Sequence, residues 1–280
     1  MSLKIEAETK LDSEPCVLTF GNKLFVGSED GSIKTFEANL TPKESWTAHA
    51  VQPFALATDG DTLYSSSNDG GIRVWSMKGD QITELPSSGA DVGALHVFDR
   101  QLYAGDEDGN IIIYEKNEMK AKYNVLEEVK DLCFTPPFLF TVRDLYVTVT
   151  EIKPEESKTR FMTRHTMEGR APLRISGNRL LFMSRDGNSL RLHDASVDTS
   201  FKSLDEVKVS DMILTSLSTS GQYAWTGGWD GVVRRYKMAG DKLEAAGDIN
   251  LGGCINSLVA AGGSAYVAVS GGKLVHLRAA

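Results

Sequence analysis

His49, the serine run Ser65–Ser67 and Asp69 hold the three side-chain types that nucleophilic catalysis needs. In such sites an Asp orients a His, and the His takes the proton from a Ser hydroxyl. The stretch Asp61–Lys78 reads D-T-L-Y-S-S-S-N-D-G-G-I-R-V-W-S-M-K, and Trp75 adds an indole N–H donor close by. No G-x-S-x-G elbow accompanies the serines, so nothing in the sequence presents one at a sharp strand-to-helix turn.

Other chemistry is as thinly supplied. The remaining histidines, His96, His165, His193 and His276, are far apart and form no metal-ligand spacing. Cys16, Cys133 and Cys254 are odd in number and have neither zinc nor redox spacing, which predicts reduced core cysteines. No phosphate-cradling G-x-x-x-x-G-K-[ST] or G-x-G-x-x-G run exists. We therefore expect no catalytic residue, no metal and no cofactor. The carboxylates Glu29-Asp30 and Asp106-Glu107-Asp108 read as solvated turn residues.

The net charge of −8 argues against a non-specific nucleic-acid binder, which needs a basic face to release counterions. The first ten residues lack an apolar signal core, and no apolar run approaches the ~18 residues that would span a bilayer. The expected setting is cytoplasmic or nuclear, away from membranes.

The elements that must position these residues are announced by a repeat. S-E-D-G-S-I-K-T-F at Ser28–Phe36 returns as S-N-D-G-G-I-R-V-W at Ser67–Trp75. It returns again as D-E-D-G-N-I-I-I-Y at Asp106–Tyr114 and G-W-D-G-V-V-R-R-Y at Gly228–Tyr236. Ser184–His193 is a variant copy. Val142–Val149 keeps the Asp without the Gly, and Val269–Leu277 keeps Gly without the Asp. The anchors at 30, 69, 108, 144, 186, 230 and 271 are spaced 36 to 44 residues apart. Each Asp-Gly pair is a hairpin signal, and a period near 40 with paired short strands marks a propeller. Asn117–Val129 is rich in helix formers, but the period places an outer strand there.

The chain resembles WD40-repeat proteins over essentially its whole length, and seven turns imply seven blades. The expected fold is all-β: one seven-bladed β-propeller domain over residues 1–280. After Gly271 only an inner part of the last blade remains, while residues 3–10 alternate apolar and charged. Those residues are expected to supply the missing outer strand and close the ring.

The resemblance also reassigns the opening residues. In WD40 blades the turn Asp joins a His, a Ser or Thr and a Trp in a buried network that braces the blade. Here that implies His49, Ser66, Asp69 and Trp75. It further implies a non-catalytic scaffold or adaptor binding proteins or peptides, on the face carrying the b–c and d–a loops. The residue before each turn Asp points to that face: Glu29, Asn68, Glu107, Arg143, Arg185 and Trp229. Arg143, Arg185 and Trp229 suggest a patch for an acidic or aromatic-containing peptide, unless Trp229 folds over its neighbour as a cap. The stretch Arg160–Arg174, rich in arginine, either steers an acidic partner or protects an outer strand.

Two alternatives stand beside the scaffold. Residues Leu63–Lys78 resemble the box by which some WD40 proteins serve as substrate receptors of cullin-type ubiquitin ligases, with Ser76 replacing its Asp. The other is a propeller hydrolase or lyase. Ring closure is testable directly: removing residues 1–11 should lower the melting temperature sharply or leave the protein insoluble. A truncated chain that melts like the full one would contradict it.

Overall fold

The computed structural model describes residues 2–86, 88–156 and 158–279. Their strands form seven antiparallel sheets of four. Blade 1 runs Pro15–Phe20, Leu24–Ser28, Ser32–Phe36, Pro42–Thr47; blade 2 runs Ala55–Thr58, Thr62–Ser67, Gly70–Ser76, Gln81–Leu85. Blade 3 is Val92–Phe98, Gln101–Asp106, Asn110–Glu115, Glu118–Asn124, and blade 4 is Val129–Thr135, Phe138–Arg143, Tyr146–Ile152, Phe161–Glu168. Blade 5 holds Arg170–Ser176, Arg179–Met183, Ser189–Asp194, Ser203–Lys208. Blade 6 holds Leu214–Ser220, Tyr223–Gly228, Val232–Ala239, Lys242–Asn250. The fold is thus the expected seven-bladed propeller, and the helix-prone stretch after Asn117 is an outer strand, Glu118–Asn124. The period wins there because an outer strand needs only one buried face.

Strands are lettered a to d from the channel outward. Strand b of blade 1 is buried at all five positions, whereas its strand d has none buried. Strands b and c lie between neighbouring blades, so both of their faces must be apolar. The core is correspondingly split. Seven apolar clusters fill the seven junctions between adjacent blades, each drawing residues from two of them.

Innermost strands of neighbouring blades are tied by side chains rather than by a ladder. Ser257 accepts from the Leu18 N–H (3.1 Å), Asp131 from Leu173 N–H (2.9 Å) and Ser218 from Ala260 N–H (2.9 Å). Each bond satisfies a backbone donor that the fan of blades would otherwise leave open.

The hairpin turns explain the repeated Asp-Gly. Gly31 has φ +81, and a Cβ there would lie 2.0 Å from the His49 carbonyl oxygen. Only glycine fits both the left-handed conformation and that approach.

The ring closes through residues from the two ends of the chain. Leu3–Lys10 pairs antiparallel with Lys273–Ala279, outside Ser264–Val269 and Ile255–Ala261. Leu3 is buried in the junction between blades 6 and 7. The Leu11 N–H then donates to the Gly272 carbonyl at 2.7 Å. Glu14 completes the closure. Its carboxylate accepts from Gly271 N–H (2.9 Å), Gly272 N–H (2.8 Å) and Asn256 Nδ2 (2.8 Å). In blades 1 and 6 the turn Asp serves its own hairpin; Asp30 and Asp230 accept from Ser32 and Val232 N–H at 3.0 Å each. Blade 7 has Gly271 at that place, and Glu14 brings the carboxylate from the other end of the chain. Replacing Glu14 by Ala should destabilise the fold by about 1–3 kcal/mol, the cost of stranding such donors, read from urea unfolding. An unchanged midpoint would show that the closure does not depend on it.

Candidate functional site

The serine–histidine–aspartate group lies inside the protein. His49 arrives on the connection from blade 1 to blade 2 and is 1% exposed. Its Nδ1 is 2.7 Å from Asp69 Oδ1, and its Nε2 is 2.7 Å from Ser65 Oγ. Trp75 Nε1–H donates to the same Ser65 Oγ at 2.8 Å. Asp69 also accepts from the Ala50 N–H at 2.6 Å and pairs with Arg73 at 3.3 Å.

The serine of this group is Ser65, not Ser66, and strand parity gives the reason. Ser65 pairs in register with Arg73 and Leu63 with Trp75, so these side chains share the face toward blade 1, where His49 enters. Ser66 pairs with Ile72 and faces the other way, and its buried hydroxyl has no hydrogen-bond partner. Ser65 is fully buried. A hydroxyl that accepts an indole N–H and meets no solvent has no path to a substrate, so the group holds the blade together.

Burial pushes the His49 imidazole below its ordinary pKa despite the pull of Asp69. Burial would raise the Asp69 carboxyl, but Ala50 N–H, His49 and Arg73 outweigh it and hold it below the usual range. Blade 6 uses a variant in which Ser210 donates to Asp230 at 2.7 Å and Arg234 pairs with it at 2.7 Å. Blade 3 moves the carboxylate two places back. Asp106 is 2% exposed, accepting from Asn110 N–H (2.7 Å), Asn110 Nδ2 (2.8 Å) and Ser88. The solvated reading of Asp106 is therefore corrected: its hairpin folds around it.

The channel is a cavity of about 550 Å³ lined by the innermost strands. Its charged residues answer one another. Arg174 pairs with Asp131 at 2.7 Å, and Asp131 is also held by Leu173 N–H. Beside them, burial and then the Arg174 charge hold His96 down to about 4. Cys133 is driven up to about 12 by burial, which leaves it protonated and unreactive. Among the described residues no three His, Cys, Asp or Glu gather to hold a metal.

The face of the b–c and d–a loops receives the residues that precede each turn Asp. Glu29, Asn68, Glu107 and Arg185 are exposed there, and Trp229 is 57% exposed. Trp229 is no cap: its N–H binds Ile213 carbonyl at 3.1 Å while the indole stays open. Arg143 departs from the pattern. It is half-buried, donating to Val125 carbonyl (2.8 Å) and Thr148 (3.0 Å) and pairing with Glu127 (3.7 Å). It stitches blade 4 to the preceding loop instead of projecting. Arg185 pairs with Glu168 at 3.3 Å. The expected projection of Arg143 is thus corrected, because Val125, Thr148 and Glu127 hold its guanidinium group, while Arg185 and Trp229 stay exposed.

Nor is Arg160–Arg174 a single basic surface. Arg164 pairs with Glu151 on an outer hairpin, while Arg174 faces the channel. Ser157, in the neighbouring Lys153–Lys158 loop, lies outside the described residues. Ser76, at the Asp place of the ligase-type box, is occupied in its own turn, where Asp80 N–H donates to it at 3.1 Å.

Sequence reasoning missed Met212, Leu126 and Tyr146, which are 53%, 88% and 42% exposed on this same face. Leu126 stands in the left-handed region at φ 70, its N–H held by Asn124 Oδ1 at 2.7 Å. Its sign in the sequence was an apolar residue directly before Glu127 and Glu128 in a short d–a loop.

Comparison with known proteins agrees with the fold. The family model described as WD domain, G-beta repeat matches residues 41–76, the end of blade 1 and the inner three strands of blade 2. Two Arabidopsis thaliana proteins, Type I inositol polyphosphate 5-phosphatase 13 and Type II inositol polyphosphate 5-phosphatase 14, are each 32% identical over 60 residues. That covers 21% of this chain and only 5% of the length of either plant protein. Among solved structures, U3-55K superposes with a TM-score of 0.83 at 16% identity, over 99% of this chain and 98% of that one. The WD40 repeats of RRP9 give 0.82 at 16% identity, over 99% and 97%. The computationally designed protein Ika8 gives 0.76 at 15% identity, over 98% and 99%. The chain is a seven-bladed β-propeller similar to solved WD40 propellers, and residues 41–76 match the WD40 repeat.

Two predictions test the structural assignment. Ser65→Ala should cost about 1–3 kcal/mol by stranding buried donors, while Ser66→Ala should be nearly neutral; equal losses would contradict the parity argument. His49, His96, His193 and His276 all lie below the ordinary histidine value, in each case first through burial. The unfolded chain then binds more protons than the folded one as pH falls from about 6.5 toward about 4. Stability should be full above that window and fall within it, so the urea midpoint should be lower at pH 5 than at pH 7. A flat or rising midpoint would contradict it.

Proposed function

We propose that this chain is a non-catalytic scaffold, a single propeller domain that holds protein partners on its b–c and d–a loop face. One observation carries the reading. Of nine large apolar residues exposed among the described residues, five lie on that face: Val51, Leu126, Tyr146, Met212 and Trp229. Ile5, Ile82 and Met119 are scattered singly on outer strands, and Val197 sits alone on the opposite side. Exposed apolar surface gathered in one region marks an interaction site, and Trp most often dominates such interfaces.

Glu29, Asn68, Glu107, Arg185 and Trp229 form the contact set in this reading, with Arg143 positioning the Leu126 loop from beneath. The scaffold acts in the cytoplasm or nucleus; no helix of the described residues is long and apolar enough to cross a membrane. The buried Ser65 and the paired channel residues speak against the hydrolase alternative.

Affinity capture from cell extract tests the reading. The wild type should retain partners that a Trp229→Ala/Met212→Ala variant of equal melting temperature loses. The same partners on both would overturn it.

A further inference from the structure

Resting on that reading, we infer that the partner segment is basic and apolar: a stretch interspersing Lys or Arg with large apolar side chains. The apolar residues form an arc over blades 4 to 6. Leu126 sits on the loop entering blade 4, and Tyr146 begins strand c of that blade. Arg143 joins the two, since it pairs with Tyr146 across the hairpin and grips Val125 and Glu127 on either side of Leu126. Met212 and Trp229 stand together at blade 6, because Trp229 N–H binds the carbonyl of Ile213 beside Met212. These are two anchoring points on one face.

The charge beside the arc decides the partner's sign. Each cation flanking it is already neutralised within the face: Arg143 by Glu127, Arg185 by Glu168, Lys208 by Asp211 and Arg234 by Asp230. The uncompensated charge is negative. Asp12, Glu29, Asp108 and Asp144 stand on loops of this face in no ion pair among the described residues. Against them stand Arg170, half-buried beside the Gly187 turn, Lys10 at the end of the closing strand and Lys34 four places after the blade 1 turn Asp; Asp91 and Glu107, likewise in no ion pair, keep the balance of the face negative. An acidic segment would have to break existing pairs and approach free carboxylates. A basic one meets those carboxylates over blades 1 to 4 while its apolar side chains cover Leu126, Tyr146, Met212 and Trp229.

Fluorescence anisotropy with three short labelled peptides tests this: alternating Lys and Leu, alternating Glu and Leu, and alternating Lys and Ser. The Lys/Leu peptide should bind tightest, and more weakly as salt rises. Leu126→Ser/Trp229→Ser should weaken it about tenfold, as loss of interface anchors does, and Glu29→Gln/Asp108→Asn by about threefold to tenfold. Glu6→Gln/Glu118→Gln, on outer strands, removes the same charge elsewhere and should leave binding unchanged. All variants should melt with the wild type. If the Glu/Leu peptide binds as tightly and is lost with Leu126 and Trp229, the basic partner is overturned and the face stands. If the outer-strand control weakens binding equally, the attraction is only that of net charge and the inference falls. If no loop-face substitution moves any peptide, both the inference and the choice of face fall.

Discussion

Each four-stranded sheet in this protein presents two apolar faces, and only a neighbouring sheet on either side can cover both. The seven clusters between blades are therefore one circular set, and each depends on its neighbours being in place. An open ring would expose two such faces. The chain avoids this by spending its first strand, Leu3–Lys10, on its last blade. Glu14 then takes the place of the aspartate that the seventh hairpin lacks. Backbone closure and carboxylate closure meet within a few residues, so both ends of the chain support one junction.

That constraint also sorts the polar residues. His49, Ser65, Asp69 and Trp75 satisfy one another inside blade 2, and Asp106 and Asp230 do the same work in their own blades. Ser65, His49, Trp75 and Asp106 are buried as well as bonded, so the bracing groups show no open face to a substrate. What varies between blades lies outside this bracing: the residue before each turn aspartate and the loops beside it. In the proposed reading, function resides where the repeats differ, and the exposed apolar residues of the loop face gather mostly over blades 4 to 6.

Much of this was legible in the sequence because a propeller repeats its constraints. The Asp-Gly turns and their spacing disclose the number of blades, and the alternation of residues 3–10 discloses the clasp. The choice of Ser65 over Ser66 was also readable, since a side-chain period of two puts position 65 on the face of Trp75. What could not be read were pairings between distant loops. Arg143 looks like a free turn arginine until Val125, Thr148 and Glu127 surround it. Glu14 looks like an ordinary linker carboxylate until Gly271 and Gly272, at the other end of the chain, point their N–H groups at it. The sign of the loop face depends on such pairings, because it is set by which charges remain after neighbours have cancelled.

The central claim is that partners seat on the apolar arc of the b–c and d–a loop face. Hydroxyl-radical footprinting of the protein with a captured native partner tests it most directly, since Leu, Met, Tyr and Trp side chains all report. The account predicts protection at Leu126, Tyr146, Met212 and Trp229, with Ile82, Met119 and Val197 labelled as in the free protein. Protection of those outer-strand and opposite-face residues, with Trp229 and Leu126 still open, would contradict it.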